Sequence, residues 1–309
     1  MRIAYFEPFG RAWERMKLAL FKPFDVHKWF VVGFNAFLAG LAEASNGSGG
    51  GRGGRGGHMS FGEFLNLPGK GWEWLSNHPG WFIAIIFGAM ALIVIGILLL
   101  WLSSRGKFMF LDNVVHNTAE IARPWRQYRT AGDSLFLWRL VFTFVILAVI
   151  VGFIAIFFMT ARQLYFGSFG DRIPWPILVG MGFLFLLLFI VIGYISTFLN
   201  DFVVPVMYKN GITANQGWSR FLSLFGRYPF HFLLYGLFMF LLIILFVISV
   251  IIAGLITCCI GWLLLVIPYI GTVVTLPVWY TFRAFSLEFL AQFGPEYAVF
   301  PAPQPQPAA

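Results

Sequence analysis

Long continuous runs of apolar residues dominate the chain, and shorter segments that mix aromatic with basic residues separate them. About 20 apolar residues are needed to cross a hydrocarbon core some 30 Å thick. Five runs approach that length and a sixth is shorter. The six predicted spans are Trp29–Ala44, Trp81–Leu102, Leu137–Met159, Ile177–Phe198, Phe230–Ala253 and Trp262–Phe282. Because lipid offers the backbone no hydrogen-bond partner, continuous rather than alternating runs predict helices and argue against a β-barrel.

The runs recur in three similar units, each with a tryptophan-bearing amphipathic segment, two apolar spans and then an acidic residue. The predicted units are residues 1–115, 116–204 and 205–297, followed by a disordered proline-rich tail at 298–309. The predicted fold class is all-α. It is a polytopic membrane helical bundle of about six transmembrane helices in three repeated hairpin units, forming a single membrane domain with cytoplasmic amphipathic interfacial helices.

Composition and the placement of charge support a membrane protein. Hydrophobic residues make up 59% of the chain and charged residues 11%, with a mean hydropathy of +0.81, which excludes an ordinary soluble domain. The net charge is +8, and with a cytoplasmic N-terminus the inner segments hold 16 Lys and Arg residues and the outer loops 5. This bias predicts a multi-pass protein of the bacterial inner membrane with both termini in the cytoplasm.

Two segments of the first unit have competing interpretations. Residues 1–28 combine aromatic, aliphatic and basic side chains, which predicts an amphipathic helix on the inner leaflet. The alternative is a signal peptide cleaved after Ala42–Ala44, but the same order recurs in the later units, where no cleavage is possible. The outer loop at 46–57 is rich in glycine and predicts a flexible linker. Its Arg-Gly-Gly repeats also resemble RNA-contacting segments, although the topology places them outside the cell.

Cysteines and prolines allow further alternatives. Cys258 and Cys259 are adjacent, which favours two small packing residues over a redox or metal pair. Pro268 and Pro277 interrupt the sixth run and predict a kink, which is either ordinary for a membrane helix or part of a transport pathway. The segment Pro301–Pro307 is either a plain disordered end or a ligand for a proline-binding partner.

Asp112, Asp201 and Glu288 are the candidate intramembrane acids, because a carboxylate in an apolar run is costly near lipid. In the functional interpretation they form a ring that binds a cation or proton, or they pair with basic residues. In the alternative they lie at headgroup depth at the inner span ends, hydrated or capping the next helix. The spacing of five from Arg283 to Glu288 does not place these two side chains on one helix face. The basic residues that could pair with the acids are Arg105, Lys107 and Arg283.

Other candidate residues belong to the membrane interface. The predicted lipid-headgroup contacts are Arg126, Arg129, Arg139, Arg220, Arg227 and His231, and the predicted interfacial anchors are Trp13, Trp125 and Trp218. The sequence contains no GxSxG, HExxH, P-loop or dinucleotide fingerprint, and its histidines lack metal-ligand spacing. We therefore expect no catalytic residue, no metal site and no cofactor.

The chain resembles a group of uncharacterised six-helix bacterial membrane proteins in the order of its segments. That order is an apolar span, a valine-proline, a turn, an amphipathic segment and a new span. It is also distantly similar to the membrane domains attached to glycerophosphodiester phosphodiesterases. The residues that carry the resemblance are Phe198–Met207, Trp218, Arg220, Phe221, Arg283–Glu288 and Gln292–Tyr297. The resemblance implies the fold and an inner-membrane location, and it implies no catalysis. The glycine-rich insertion departs from the compact first turn of that group.

The leading functional hypothesis is a non-enzymatic scaffold or accessory subunit that binds membrane lipids and a membrane partner, and no nucleic acid. That partner is another membrane protein or a second copy of the chain. The first alternative is a transporter of a small solute or lipid that uses the three acids at the repeat interfaces. The second alternative is an intramembrane lipid-modifying enzyme, whose active site would be assembled from residues distant in sequence.

Overall fold

The computed structural model describes residues 3–47, 60–168, 175–257 and 260–301, and these ranges are α-helical with two π-helical turns and no β-strand. The helices are α1 (Phe6–Phe21), α2 (Val26–Gly47), α3 (Phe61–Leu65), α4 (Leu67–Asn77), α5 (Pro79–His116), α6 (Ala122–Gln127), α7 (Arg129–Gln163), α8 (Trp175–Phe198), α9 (Val204–Asn210), α10 (Ala214–Arg227), α11 (Pro229–Ile256), α12 (Ile260–Val266), α13 (Pro268–Val274) and α14 (Leu276–Ala291). The π-helical turns are Leu164–Ser168 and Leu199–Val203. The all-α prediction is confirmed. Residues 48–57 of the predicted loop, both cysteines and the tail from 302 lie outside the described residues.

Four helical segments of the described chain are long and apolar enough to cross a membrane. They are Pro79–His116, Arg129–Gly167, Trp175–Asn210 and Pro229–Ile256. In the first three, no residue of the most apolar 18-residue window is buried, and in the fourth the buried share is 11%. Apolar side chains exposed on this scale need apolar surroundings. The chain is therefore a membrane protein, and four of the six predicted spans coincide with these segments.

The sixth predicted span is divided among α12, α13 and α14, and none of these helices reaches 18 residues. Pro268 is the first residue of α13 and Pro277 the second residue of α14. Proline is tolerated in the first turn of a helix, where its missing N–H would have no partner, but not further along. The prediction that these two prolines interrupt the run is confirmed.

The first predicted span lies in α2, which packs against the C-terminal part of α5. The Ser103 hydroxyl donates to the Ala39 carbonyl oxygen at 2.7 Å. At Gly106 the backbones approach so closely that a Cβ atom would lie 2.7 Å from the Ala39 nitrogen. Lys28 at the other end of α2 donates to Asn117 at 2.8 Å. The helices therefore run antiparallel along the segment of α5 that follows its apolar run.

One compact unit consists of the described parts of residues 1–43, 100–138 and 194–309. Its core is aromatic and centres on Phe202 in the second π-helical turn. The Phe202 ring lies 5.4 Å from Phe221 of α10, 4.9 Å from Phe232 and 4.8 Å from Tyr235 of α11. All four residues are almost fully buried. The predicted amphipathic segment of the third repeat therefore forms a helix whose apolar face packs inside the protein.

Helix α1 has two apolar faces. Ala12, Met16 and Ala19 are buried, in a helix that packs mainly against α14. Phe6 and Trp13 point away from that contact and are 80% and 44% exposed. We expected a single apolar face directed at the membrane. Instead, the small residues of α1 allow close packing within the protein, and bulky side chains form a second face.

Residues 44–99 and 139–193 form the other compact unit, which contains α3, α4 and parts of the long helices. Helix α3 begins with a capping box between Ser60 and Glu63. Its Phe64 ring stacks on Phe158 of α7 at 5.5 Å. Helix α4 exposes Trp72 to 66%. The aromatic approach to the second apolar run is therefore helical.

Candidate functional site

Asp112 is fully buried near the end of α5 and has a complete set of partners. Its Oδ2 accepts from an Arg123 guanidinium nitrogen at 2.9 Å, and its Oδ1 accepts from the hydroxyls of Tyr208 at 2.8 Å and Tyr128 at 3.1 Å. His116 Nδ1 lies 3.2 Å from the same Oδ1. These bonds join α5 to α6 and α9, so the carboxylate connects three helices.

Arg123 and Tyr128, two of the donors to Asp112, keep their protons at neutral pH. A side-chain hydrogen bond to Glu120, followed by the charge of Asp112, raises the pKa of Arg123. Burial raises the pKa of the Tyr128 phenol, and the charge of Asp112 adds to that effect. Arg123 therefore stays positive and Tyr128 stays a donor.

Glu288 on α14 is paired with two arginines of α1. Its carboxylate accepts from Arg11 Nε at 2.9 Å and from Arg15 Nε at 2.6 Å, and its side chain is 8% exposed. The Arg15 guanidinium also lies 3.9 Å from the ring centre of Phe300. The Gln292 amide brackets the Ala4 backbone with two hydrogen bonds of 2.9 Å. These contacts hold the ends of the described chain together. Because Glu288 pairs with Arg11 and Arg15, the structure is consistent with the prediction that Arg283 does not pair with Glu288.

Asp201 lies in the π-helical turn Leu199–Val203, which interrupts the third long helical segment. Its Oδ2 accepts from the buried Tyr235 hydroxyl at 3.1 Å. The wider turn displaces backbone groups from the α-helical pattern. The Asn200 carbonyl oxygen accepts from Arg283 of α14 at 2.6 Å.

An ion pair lies beside this turn. Lys107 Nζ is 2.5 Å from Glu43 Oε1, and the Asn200 side-chain amide donates to the same oxygen at 3.2 Å. The Lys107 side chain is 3% exposed and that of Glu43 is 53% exposed, so the pair extends from the interior to the surface. The charges of Lys107, Glu43 and Arg283 all act on Asp201. We call this group the central polar cluster, which consists of Glu43, Lys107, Asn200, Asp201, Tyr235 and Arg283.

The three acids have separate sets of hydrogen-bond and ion-pair partners. In the part of the chain that the structure describes, no hydrogen bond or ion pair joins Asp112, Asp201 or Glu288 to another of the three. Among the described residues no group of three or more His, Cys, Asp or Glu side chains could hold a metal ion. What the arrangement supports is the pairing of each acid with polar or basic side chains of neighbouring helices.

Arg105, a predicted partner of the acids, pairs with Asp133 instead. Two guanidinium nitrogens of Arg105 donate to the Asp133 carboxylate at 2.8–3.1 Å. The guanidinium also lies 4.4 Å from the Trp101 ring centre and 4.9 Å from that of Trp125. Trp125, a predicted anchor, is half-buried in this stack.

The other predicted interface residues differ in exposure. Arg126, Arg129, Arg220 and Arg227 are exposed, His231 is half-buried, and Arg139 is buried with 9% exposure. Trp218 is half-buried, and its ring stacks on Trp138 at 5.2 Å. Its indole N–H is buried and has no acceptor among the described residues. Of the three tryptophans, Trp13 is the exposed one.

Sequence reasoning did not identify four of the residues that complete these clusters. Glu43 entered only through the alternative of a cleaved signal peptide, although a lone acid at the end of an apolar run was a usable signal. Tyr235 lies inside a predicted span, where a hydroxyl needs a partner. Nothing in the local pattern relates Arg11 or Arg15 to an acid some 270 residues away. These pairings depend on how the helices pack.

The chain belongs to a family of unknown function, DUF7544, whose model matches residues 4–300. No curated protein and no solved structure matches the chain. The match covers both compact units and each of the clusters described above. It agrees with the resemblance to an uncharacterised family.

Proposed function

We propose that this member of the DUF7544 family is a non-enzymatic membrane scaffold or accessory subunit, which binds lipids and a membrane partner. The observation that carries the proposal is which side chains lack a partner within the described chain and remain on the surface. The acids at Asp112 and Glu288 are occupied by bonds within the chain. By contrast, the apolar windows of three long helices have no buried residue. The surface available for recognition is therefore apolar and helical.

Six crossings in all are proposed, on grounds of connectivity. Each of the four long helical segments has one end in the same compact unit, where that end takes part in a hydrogen bond. These bonds join Asp112 to Tyr208, Ser134 to Ala214, and Asp201 to Tyr235. Glu43 and Arg283 bond to residues at those same ends. If the four segments cross the membrane, their other ends lie on the opposite side. Four of the six proposed crossings are these long helical segments, and the other two stay predictions.

The outward face of α1 supports lipid binding. Phe6, Trp13, Lys17 and Phe21 lie on one side of the helix at 3.6 residues per turn, and the first, second and fourth are 80%, 44% and 46% exposed. Aromatic rings beside a lysine suit the boundary between headgroups and acyl chains. We place this face on the inner leaflet of a bacterial inner membrane, with both termini cytoplasmic. The similarity to phosphodiesterase membrane domains stays a prediction.

The test is gentle-detergent purification of the full chain, with mass spectrometry of co-purifying proteins and lipids. We expect one protein partner at a constant stoichiometric ratio, together with bound lipid. The double variant Phe6→Gln/Trp13→Gln should reduce lipid recovery, whereas the control variant Glu14→Gln, whose exposed side chain also lies on α1, should not. Recovery of the chain alone in every mild detergent tested would contradict the accessory-subunit proposal.

A transporter is the second candidate, and one observation favours it. The π-helical turn around Asp201 interrupts a helix of membrane-spanning length, beside the buried Lys107. Irregular turns with charged groups are found at substrate sites of transporters. Substrate flux that is lost in Asp201→Asn and retained in Asp112→Asn, with both variants folded, would favour a carrier. Unchanged behaviour of both variants would favour the scaffold.

A further inference from the structure

Arg283 is a largely buried arginine with few hydrogen-bond partners among the described residues. It is 8% exposed, and a guanidinium has five N–H donors. In the described part of the chain Arg283 makes one hydrogen bond, from one guanidinium nitrogen to the Asn200 backbone oxygen. Asp201 acts on it electrostatically, but no ion pair within 4.0 Å joins the two among the described residues. Among the described residues, no Arg283 nitrogen is a fully buried atom without a partner, so its remaining N–H groups reach the surface and can donate to an additional oxygen acceptor.

Asn200 has the complementary property. Its side-chain oxygen Oδ1 is buried and has no hydrogen-bond donor among the described residues, while its amide nitrogen donates to Glu43. Lys107, which is paired with Glu43, adds a second buried positive charge. The same cluster therefore combines a guanidinium with few acceptors and an amide oxygen that lacks a donor among the described residues. A ligand with an anionic oxygen and a hydroxyl or amine would satisfy both.

The depth of the cluster indicates the class of ligand. Asn200 follows the end of the predicted span at Phe198 by two residues, and Lys107 follows Leu102 by five. At 1.5 Å per residue these positions lie about 3 Å and about 8 Å beyond the apolar runs, measured along each helix. The headgroup layer occupies about 5–7 Å on each side of the hydrocarbon core. Phospholipid phosphates lie in that layer, so Asn200 lies at their depth and Lys107 at the outer edge of the layer.

We propose that the central polar cluster binds the phosphate of an anionic phospholipid headgroup. Arg283 donates to the phosphate oxygens, Lys107 adds positive charge, and a headgroup hydroxyl donates to Asn200 Oδ1. Glu43, whose side chain is 53% exposed, is the internal counter-ion and turns outward when the phosphate enters. Asp201 keeps its bond to Tyr235. This inference deepens the lipid-binding function proposed above and rests on it.

Native mass spectrometry of the full chain in nanodiscs tests this assignment, with phosphatidylglycerol titrated into phosphatidylcholine. We expect the wild type to retain one phosphatidylglycerol. Arg283→Gln should lower the apparent affinity by at least about tenfold, because charge-assisted hydrogen bonds are lost. Arg162→Gln removes the same charge from an exposed side chain outside this cluster, and it should change the affinity by less than about twofold. Equal losses in both variants, or none in Arg283→Gln, would overturn the site.

Glu43→Gln provides a second test if Arg283→Gln does not fold. Glutamine keeps an oxygen for Lys107 and removes the competing charge, so phosphatidylglycerol should bind several times more tightly, and unchanged binding would overturn the proposal. Displacement of the lipid by inorganic phosphate alone would assign the site to free phosphate and overturn the lipid as its source. Partner recovery is measured separately. A chain without a protein partner that still binds lipid through Arg283 refutes the scaffold and not this site.

Discussion

At the scale of single residues, Asp112 shows why a buried acid can be retained without catalysis. It has no exposed surface, and Arg123, Tyr128 and Tyr208 all donate to it. Removing one partner of a buried pair leaves an uncompensated group and usually destabilises a protein far more than removing an exposed pair. The structure therefore favours the interpretation in which the carboxylate organises neighbouring helices over that of a common ring.

Asp112→Asn should lower the free energy of unfolding by about 2–3 kcal/mol, because an amide cannot accept all three hydrogen bonds or balance Arg123. The measurement is unfolding of the purified protein in detergent, followed by circular dichroism. Glu14→Gln is the matched control, since Glu14 pairs with Lys17 at 2.6 Å while 64% exposed. It should cost less than about 1 kcal/mol. Equal effects of the two changes would mean that the Asp112 bonds contribute no more than a surface pair.

At the scale of helices, the approach of α2 to α5 depends on a residue without a side chain. Gly106 faces the Leu38–Ala39 backbone, and a Cβ atom there would lie 2.7 Å from backbone atoms that cannot rotate away. The close approach allows the hydrogen bond from Ser103 to Ala39 and brings Glu43 within reach of Lys107. The central polar cluster therefore depends on a helix contact that no local sequence pattern specifies.

Gly106→Ala should separate these helices and lower the free energy of unfolding by about 1–3 kcal/mol, as expected for overpacking. Gly96→Ala in the same helix is the control, because no atom lies within 4 Å of a Cβ atom at that position. Alanine has the higher helix propensity, so this control should be neutral or stabilise by up to about 1 kcal/mol. Thermal unfolding of both variants under one detergent condition compares them. A stable Gly106→Ala protein would contradict the close packing.

At the scale of the whole molecule, the contacts between helix ends limit the number of membrane crossings more strongly than hydropathy does. Four segments meet the length and composition required of a span. The bonds of Glu43 to Lys107 and of Arg283 to Asn200 bring both connecting stretches back to the same helix ends. Together these observations favour six crossings, even though the last run is broken by prolines.

Cysteine labelling of intact cells with a membrane-impermeant maleimide tests the topology, in a background with Cys258→Ser and Cys259→Ser. Lys70→Cys and Phe166→Cys should be labelled from outside, because both follow an outward crossing. Arg129→Cys should be labelled only after the cells are made permeable. Labelling of Lys70→Cys that requires permeable cells would exclude an outward crossing before Lys70.

Much of the architecture follows from the sequence alone. The apolar runs determine four long helices, and the prolines at 268 and 277 determine where the last run breaks, because both depend on local backbone and solvation rules. The acids at Asp112 and Glu288 were also recognisable from their apolar surroundings. The signal was the cost of an isolated charge near lipid.

Tertiary structure alone decided which groups these acids meet. Arg11 and Arg15 pair with Glu288, and Arg283 bonds to Asn200 rather than to Glu288. Arg105 pairs with Asp133, which is not one of the three candidate acids. Helical periodicity assigns side chains to faces only within a few turns, whereas these contacts join residues tens to hundreds of positions apart. Such pairings depend on helix packing and on small residues at the crossings, which no local pattern specifies.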